Sequence, residues 1–173
     1  MRNASAAAQA QLLSAQYARD TVQVALAATT AQTYFLLRSL DTQIALNDRT
    51  QRSRADSLRL TERRAEGGVA SPLELAQARS ALAAVAAQRP ELVRQRALLQ
   101  HQLGVLTGQP GRVVPVDPRL EALPVPATPP AGLPSELLTR RPDIQQAEAA
   151  LRAAQAQVEV VRAAMYPTLS LTA

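Results

Sequence analysis

A chain of 173 residues that is 47% hydrophobic, 19% charged and 2% aromatic, with a formal charge of +5 and no cysteine, is long enough for one domain or one elongated unit and has no disulfide framework. Alanine (35), leucine (25), arginine (19) and glutamine (17) dominate and lysine is absent, so helix formers prevail; the four aromatic residues, Tyr17, Tyr34, Phe35 and Tyr166, cannot fill the thick core of a sheet-rich enzyme. The positive charge is spread along the chain among 14 acids, and nucleic acid is not expected as a partner.

Met1-Arg2-Asn3 runs directly into Ala- and Gln-rich sequence without a sustained apolar region, and no stretch approaches the ~20 apolar residues of a membrane helix. Taken literally, this is the pattern of a soluble, cytoplasmic chain. From Ser5 to Glu66 there is neither proline nor glycine. Apolar residues recur at helical spacing through Leu13, Tyr17, Val24, Ala27, Ala31, Tyr34, Leu37, Leu40 and Ile44. The pattern predicts one helix of ~62 residues, roughly 90 Å long at 1.5 Å per residue, and hence an elongated molecule. Its stretch from Asn47 to Asp56 holds a single apolar residue, Ala55, and reads as a solvated face or, alternatively, as the wall of a watery passage.

Gly67-Gly68-Val69-Ala70-Ser71-Pro72 supplies a helix stop, an N-cap and a first-turn proline, which together predict a reversal. The next helix is expected over Pro72 to Leu106. Its seam, at positions 75, 78, 82, 85, 89, 92, 96, 99, 103 and 106, has the three-four alternation of a coiled coil. Arg89 and Arg96 interrupt that seam, either snorkelling to its edge or pairing with an acid such as Asp41 or Asp48. Pro90 removes a backbone donor in mid-helix and is expected to kink it near Ala86.

Gly104 to Pro142 carries nine of the twelve prolines and four of the six glycines, so an irregular connector is expected, with a short helix at Ser135 to Arg140. Beyond it, residues 144, 147, 151, 154, 158, 161 and 165 repeat the alternation and predict a third helix, opened by Pro142 and Asp143 and ending before Pro167. Thr168 to Thr172 alternates polar and apolar like the start of a strand. One strand cannot stand alone, which suggests a fragment or assembly with further copies.

No catalytic, cofactor or metal constellation is present in the sequence. His101 is the single histidine and reads as a surface residue, while Glu62 and Glu66 sit beside Arg63 and Arg64 at a solvated tip. The chain is therefore not expected to be an enzyme or to carry a cofactor.

Several phrases in order resemble the outer-membrane efflux proteins of the TolC/OprM type, in particular the NodT-like outer-membrane lipoproteins of tripartite pumps. They are Ala31 to Asp41 (AQTYFLLRSLD), Arg64 to Ala78 (RAEGGVASPLELAQA), Leu103 to Pro110 (LGVLTGQP), and Arg140-Arg141-Pro142-Asp143-Ile144, followed by Arg162 to Leu171 (RAAMYPTLSL). The resemblance implies a mainly α fold: a long antiparallel coiled-coil hairpin over 1–107, an equatorial connector over 108–141, and over 142–173 a third helix reaching the first strand of a β-barrel. It implies that three protomers close a passive exit tunnel for small solutes or drugs in the outer membrane, with this segment in the periplasm. The implied partners are a periplasmic membrane-fusion adaptor and an inner-membrane pump. It assigns adaptor contact to the turn, at Arg64, Gly67, Gly68, Val69, Ser71 and Leu73. The leader, lipidated cysteine, further strands and second hairpin of that family are not in this sequence, so a partial chain is expected. The competing reading is a free-standing coiled-coil module or an adaptor-like hairpin.

Overall fold

The computed structural model describes residues 2–122, 127 and 138–166. Three helices dominate: α1 over Arg2–Glu66, α2 over Pro72–Leu106 and α3 over Pro142–Ala163, with a single 3-10 turn at Leu120–Ala122. No strand occurs among the described residues. The expected strand start at Thr168 to Thr172 lies outside them, as do residues 135–137 of the short helix, whose remainder, 138–140, is helical.

The chain divides into two compact units, one of residues 28–126 and one of residues 1–27 with 127–173, so α1 contributes to both. This is a division by packing. The division of the sequence into hairpin, connector and opening helix is one by consecutive segments.

In the first unit, α1 ends where its sequence runs out of side chains. Gly67 and Gly68 donate to the carbonyls of Arg63 and Ala65 at 3.0 Å each, Val69 N–H donates to Arg64 O at 2.8 Å, and Gly68 takes φ +73°, a conformation that costs glycine nothing. Ser71 then opens α2 with a capping box. Its hydroxyl accepts from Glu74 N–H at 3.2 Å while the Glu74 carboxylate accepts from Ser71 N–H at 2.7 Å, and Pro72 takes the first turn. The helices run antiparallel: Asp41 meets Arg96, Asp48 meets Arg89 and Glu62 meets Arg79, one series rising as the other falls.

The seam read from the sequence of α2 is the covered face. Positions 75, 78, 82, 85, 92, 96, 99, 103 and 106 are half-buried or buried, and only Arg89 is exposed. Its complement on α1 is 44, 48, 51, 55, 58, 62 and 65, also half-buried and on the same alternation. Helix α2 continues through Pro90 to Leu106, where Thr107 caps it by donating its N–H (3.0 Å) and hydroxyl (2.9 Å) to Leu103 O. The chain then folds back on Gly104. Gln109 N–H donates to Gly104 O at 2.8 Å, and a Cβ on Gly104 would stand 3.0 Å from Gln109 O, so this close approach favours glycine.

In the other unit, Ala7 and Ala10 of α1 and Ala149 and Ala153 of α3 are buried, and Ser14 Oγ donates to Gln146 O at 3.4 Å. From that bond, burial proceeds down α1 and up α3, the order of an antiparallel pair. Alanine at these positions lets the two backbones come close.

The apolar series 147, 151, 154, 158, 161 and 165 that predicts this helix is exposed, with Leu151 at 59% and Met165 at 80%, and Ile144 is half-buried. The covered face is instead 142, 146, 149, 153, 156 and 160, two residues out of register. Both faces of α3 carry three-four patterns of small or apolar residues, and the covered one is the face of Ala149 and Ala153. Helix α3 also stops at Ala163 rather than at 165; Ala164 to Tyr166 form a turn ahead of Pro167, whose ring disfavours helical backbone before it.

Candidate functional site

The six residues singled out at the turn lie together. Arg64 closes the last turn of α1, Gly67, Gly68 and Val69 make the reversal, Ser71 caps α2 and Leu73 lies in its first turn. All six are exposed, and two of them, Val69 at 69% and Leu73 at 66%, hold apolar side chains in water. The Arg64 guanidinium has no acid partner among the described residues, whereas its carbonyl accepts from both Val69 and Ala70 N–H. The turn is thus a hydrogen-bonded loop offering two apolar side chains beside a charge able to form a charge-assisted bond.

At the opposite end of the hairpin, α1, α2 and residues 112–119 converge on Asp41, whose side chain is 0% exposed. Asp41 Oδ1 accepts from Arg96 Nε at 2.6 Å; Oδ2 accepts from Arg38 Nη1 at 3.2 Å and from Asp117 N–H at 3.1 Å. Two further guanidinium bonds reach backbone carbonyls, Arg38 Nη1 to Pro115 O at 2.7 Å and Arg96 Nη2 to Val114 O at 3.0 Å, while Arg96 Nη1 donates to Gln100 Oε1 at 3.0 Å and Thr42 Oγ1 to Pro118 O at 2.9 Å. Arg38 also donates to Tyr34 Oη at 3.1 Å, with its Cζ 4.9 Å from the ring centroid. Burial lowers the pKa of Arg38, but the bonds to Tyr34 and Asp41 outweigh it and hold the value above the ordinary arginine range. In such a setting, removing one partner strands a buried charge and costs about 3–5 kcal/mol.

The two seam arginines take the two fates open to them. Arg96 is desolvated in this cluster, its side chain 14% exposed, whereas Arg89 snorkels at 48% and reaches Asp48 Oδ1 at 2.7 Å. Sequence reasoning named both acids, but not Arg38, Thr42 or Asp117. The i,i+3 spacing of Arg38 and Asp41 was the available signal. Next to this cluster Asn47 is buried, donating from Nδ2 to Val85 O at 3.1 Å, while its Oδ1 has no hydrogen-bond partner among the described residues.

The phrase Arg141-Pro142-Asp143 has its own geometry. Arg141 grips Asp143 through Nε (3.1 Å) and Nη2 (2.6 Å) across the proline, and Asp143 Oδ1 also accepts from Ile144 N–H at 2.9 Å. The guanidinium holds the Asp143 carboxyl below its ordinary range, fixing a negative charge at the positive end of α3. His101 is exposed, and Glu62 faces Arg79 at 3.5 Å. Among the described residues no group of three or more His, Cys, Asp or Glu is placed to hold a metal ion, and no helix is long and apolar enough to cross a membrane.

With this geometry in view, the profile of the family described as outer membrane efflux protein matches residues 1–109 and 133–173. The chain is 39% identical over 165 residues to the probable efflux pump outer membrane protein TtgC of Pseudomonas putida, covering 93% of this chain and 33% of that protein. It is 40% identical over 163 residues to the pyoverdine export outer membrane protein OpmQ of Pseudomonas aeruginosa, covering 94% and 34%. Among solved structures, the outer-membrane channel OprN superposes with a TM-score of 0.82 at 32% identity, covering 95% of this chain and 37% of that one. The chain therefore spans about a third of the length of the curated relatives it matches. It belongs to the outer membrane efflux protein family.

Proposed function

We propose that this chain is the middle portion of an outer-membrane exit duct of a tripartite efflux system, passive in transport and without catalysis of its own. Residues 1–107 supply the long hairpin of the first half, 108–141 the equatorial connector, and 142–173 the opening helix and first strand of the second half. Three protomers close the duct in the outer membrane, and the hairpin extends into the periplasm towards an adaptor and an inner-membrane pump. The turn carrying Arg64, Gly67, Gly68, Val69, Ser71 and Leu73 is the adaptor contact. The observation that supports this reading is the hairpin itself, matched to OprN over 95% of the chain, with apolar side chains exposed at a turn too tight to need them for its own closure. The cargo stays open. The relatives' own names range from a general efflux pump to pyoverdine export.

The reading is tested by exchanging the matching third of TtgC for this chain in a strain lacking that channel, with Val69→Cys and Leu73→Cys as separate cross-linking positions. The chain has no cysteine of its own, so each label is unique within the exchanged segment. Restored export together with adaptor captured from both positions is the expected result. A hybrid that assembles in the outer membrane yet neither exports nor captures adaptor overturns it.

A further inference from the structure

Residues 112–119 cross the base of the hairpin without regular secondary structure, and their valines do not hold them there. Val113 is 74% exposed and Val116 66% exposed; only Val114 is half-buried. Apolar burial is therefore a minor part of what keeps this stretch in place. What holds it is four side-chain bonds to its backbone, namely Arg96 to Val114 O, Arg38 to Pro115 O, Asp41 to Asp117 N–H and Thr42 to Pro118 O.

Three of the four depend on one carboxylate. Asp41 accepts from Asp117 N–H directly, and by bonding Arg38 at 3.2 Å and Arg96 at 2.6 Å it aims both guanidiniums at neighbouring carbonyls. Without that charge two buried guanidiniums repel each other and the strongest restraint on their direction is gone. Both ends of the stretch are closed locally: Arg112 N–H donates to Gln109 O at 3.1 Å, and Asp117 is clasped by Arg119 at 2.9 and 3.1 Å. It is thus a preformed piece rather than a loose one.

We propose that residues 112–118 are a strap that detaches from the hairpin as a unit, and that Asp41 is its latch. The strap lifts off and re-docks while α1 and α2 stay paired, because Arg96 is the one seam position of α2 that bonds to it, and the seam from Ile44 to Ala65 and from Leu75 to Leu92 does not. Opening exposes the donors of Arg38 and Arg96 to water, which re-solvates them at once, so the open state differs from the closed one by polar exchange rather than by loss of a core. Segments held in this way occupy the low end of a protein's local stability range. The inference concerns the chain itself and does not rest on the transport reading.

The absence of native cysteine makes the test clean. Spin labels at Val116→Cys on the strap and Leu98→Cys on α2, 55% exposed, report their separation by pulsed electron resonance, with far-UV circular dichroism recorded on the same samples. The otherwise unaltered chain is expected to give one narrow distance distribution. Adding Asp41→Asn is expected to roughly double its width and move it to longer distances, with ellipticity unchanged. An unchanged distribution overturns the proposal, and so does a broadening that comes only with loss of helix. Should Asp41→Asn fail to fold, Arg38→Met decides. It keeps the Asp41–Arg96 bond between the helices and removes one clamp, so broadening at full helicity supports the latch. No broadening, or collapse of the helices as well, overturns it.

Discussion

Between Thr33 and Asn47 on α1, and at Leu103 and Gly104 on α2, the hairpin buries residues almost completely; from Asp48 to Gln102 no side chain reaches that class. The spacing is the same in both regions, a three-four alternation, but the α1 side is Thr33, Leu37, Leu40 and Ile44 at the base and Asp48, Gln51, Ala55, Leu58, Glu62 and Ala65 further out. The number of elements differs as well. At the base the stretch after α2 bonds to both helices, at Arg38, Asp41 and Thr42 on α1 and at Arg96 on α2. Further out only two helices meet, and each covers one stripe of the other. The base therefore combines a more apolar seam with a third element held mainly through polar bonds.

The widest separation between the two regions comes from truncating one leucine in each. Leu37 is 0% exposed, and Leu37→Ala is expected to cost about 2–5 kcal/mol, the range for a fully buried leucine that leaves a cavity. Leu58, half-buried in the outer seam, loses a smaller burial and leaves its space to water, so Leu58→Ala is expected to cost about 1–2 kcal/mol. Urea unfolding followed at 222 nm compares them. Equal losses would mean that the outer seam is as well sealed as the base.

Pro90 sharpens the contrast from the other side, because it lies within α2 and deprives the Ala86 carbonyl of its helical donor. Pro90→Ala is expected to stabilise the chain by about 1 kcal/mol, less than the ~3 kcal/mol intrinsic penalty because the surroundings have adapted to the proline. Amide exchange should slow around residues 86–94 and stay unchanged near Leu103. A destabilised variant would show that the seam is adapted to the proline. Ser71→Ala, which removes the hydroxyl from Glu74 N–H at the far end, is expected to cost about 1 kcal/mol and to fray only the first turn of α2. If exchange rises equally at the base, the two regions unfold as one.

Much of this was legible in the residues. The 67–72 stop-and-start signal and the α2 boundaries follow from glycine, serine and proline chemistry that acts within a few residues, and the α2 seam follows from spacing alone. The register of α3 was not legible, because its two faces carry competing patterns and only the partner helix decides between Ala149 with Ala153 and Leu151 with Val158. The Asp41 cluster was legible in part. One of its charges, Arg96, stood out as an arginine in an apolar seam and Asp41 as an acid to pair with it, but Arg38 was missed, and further partners are backbone groups some 76 residues away in sequence, which leave no mark in a sequence. The turn reads as a tight reversal whether or not a partner docks there, which is why the resemblance, and not the glycines, assigned it a role.

The smallest expected effect concerns two acids, one from each region, whose charge state should not depend on region at all. Glu91, on the outer part of α2, is held down to about 2 from an ordinary 4.5, first by its bond from Arg94 and then by Gln95. Asp117, on the stretch at the base, is held down to about 2 from 3.8 by Arg119. A carboxyl lowered in the folded state stabilises it fully above the ordinary value and loses that contribution as pH falls through the folded one, so both pairs act down to pH 4 and fade towards pH 2. Both groups are solvent-exposed, so the effect on unfolding is slight, and carbon-13 titration of the carboxyl signals is the measurement that resolves it. Arg119→Gln should return Asp117 towards 3.8 while Glu91 stays low. Asp41→Asn tests the comparison more closely. Asp41 holds the Asp117 amide, but Arg119 holds its carboxylate, so releasing the stretch should leave the titration near 2. A rise of Asp117 in that variant would mean that the Arg119 clasp exists only while the stretch is docked, and that the base owes its order to one carboxylate even in its local ion pairs.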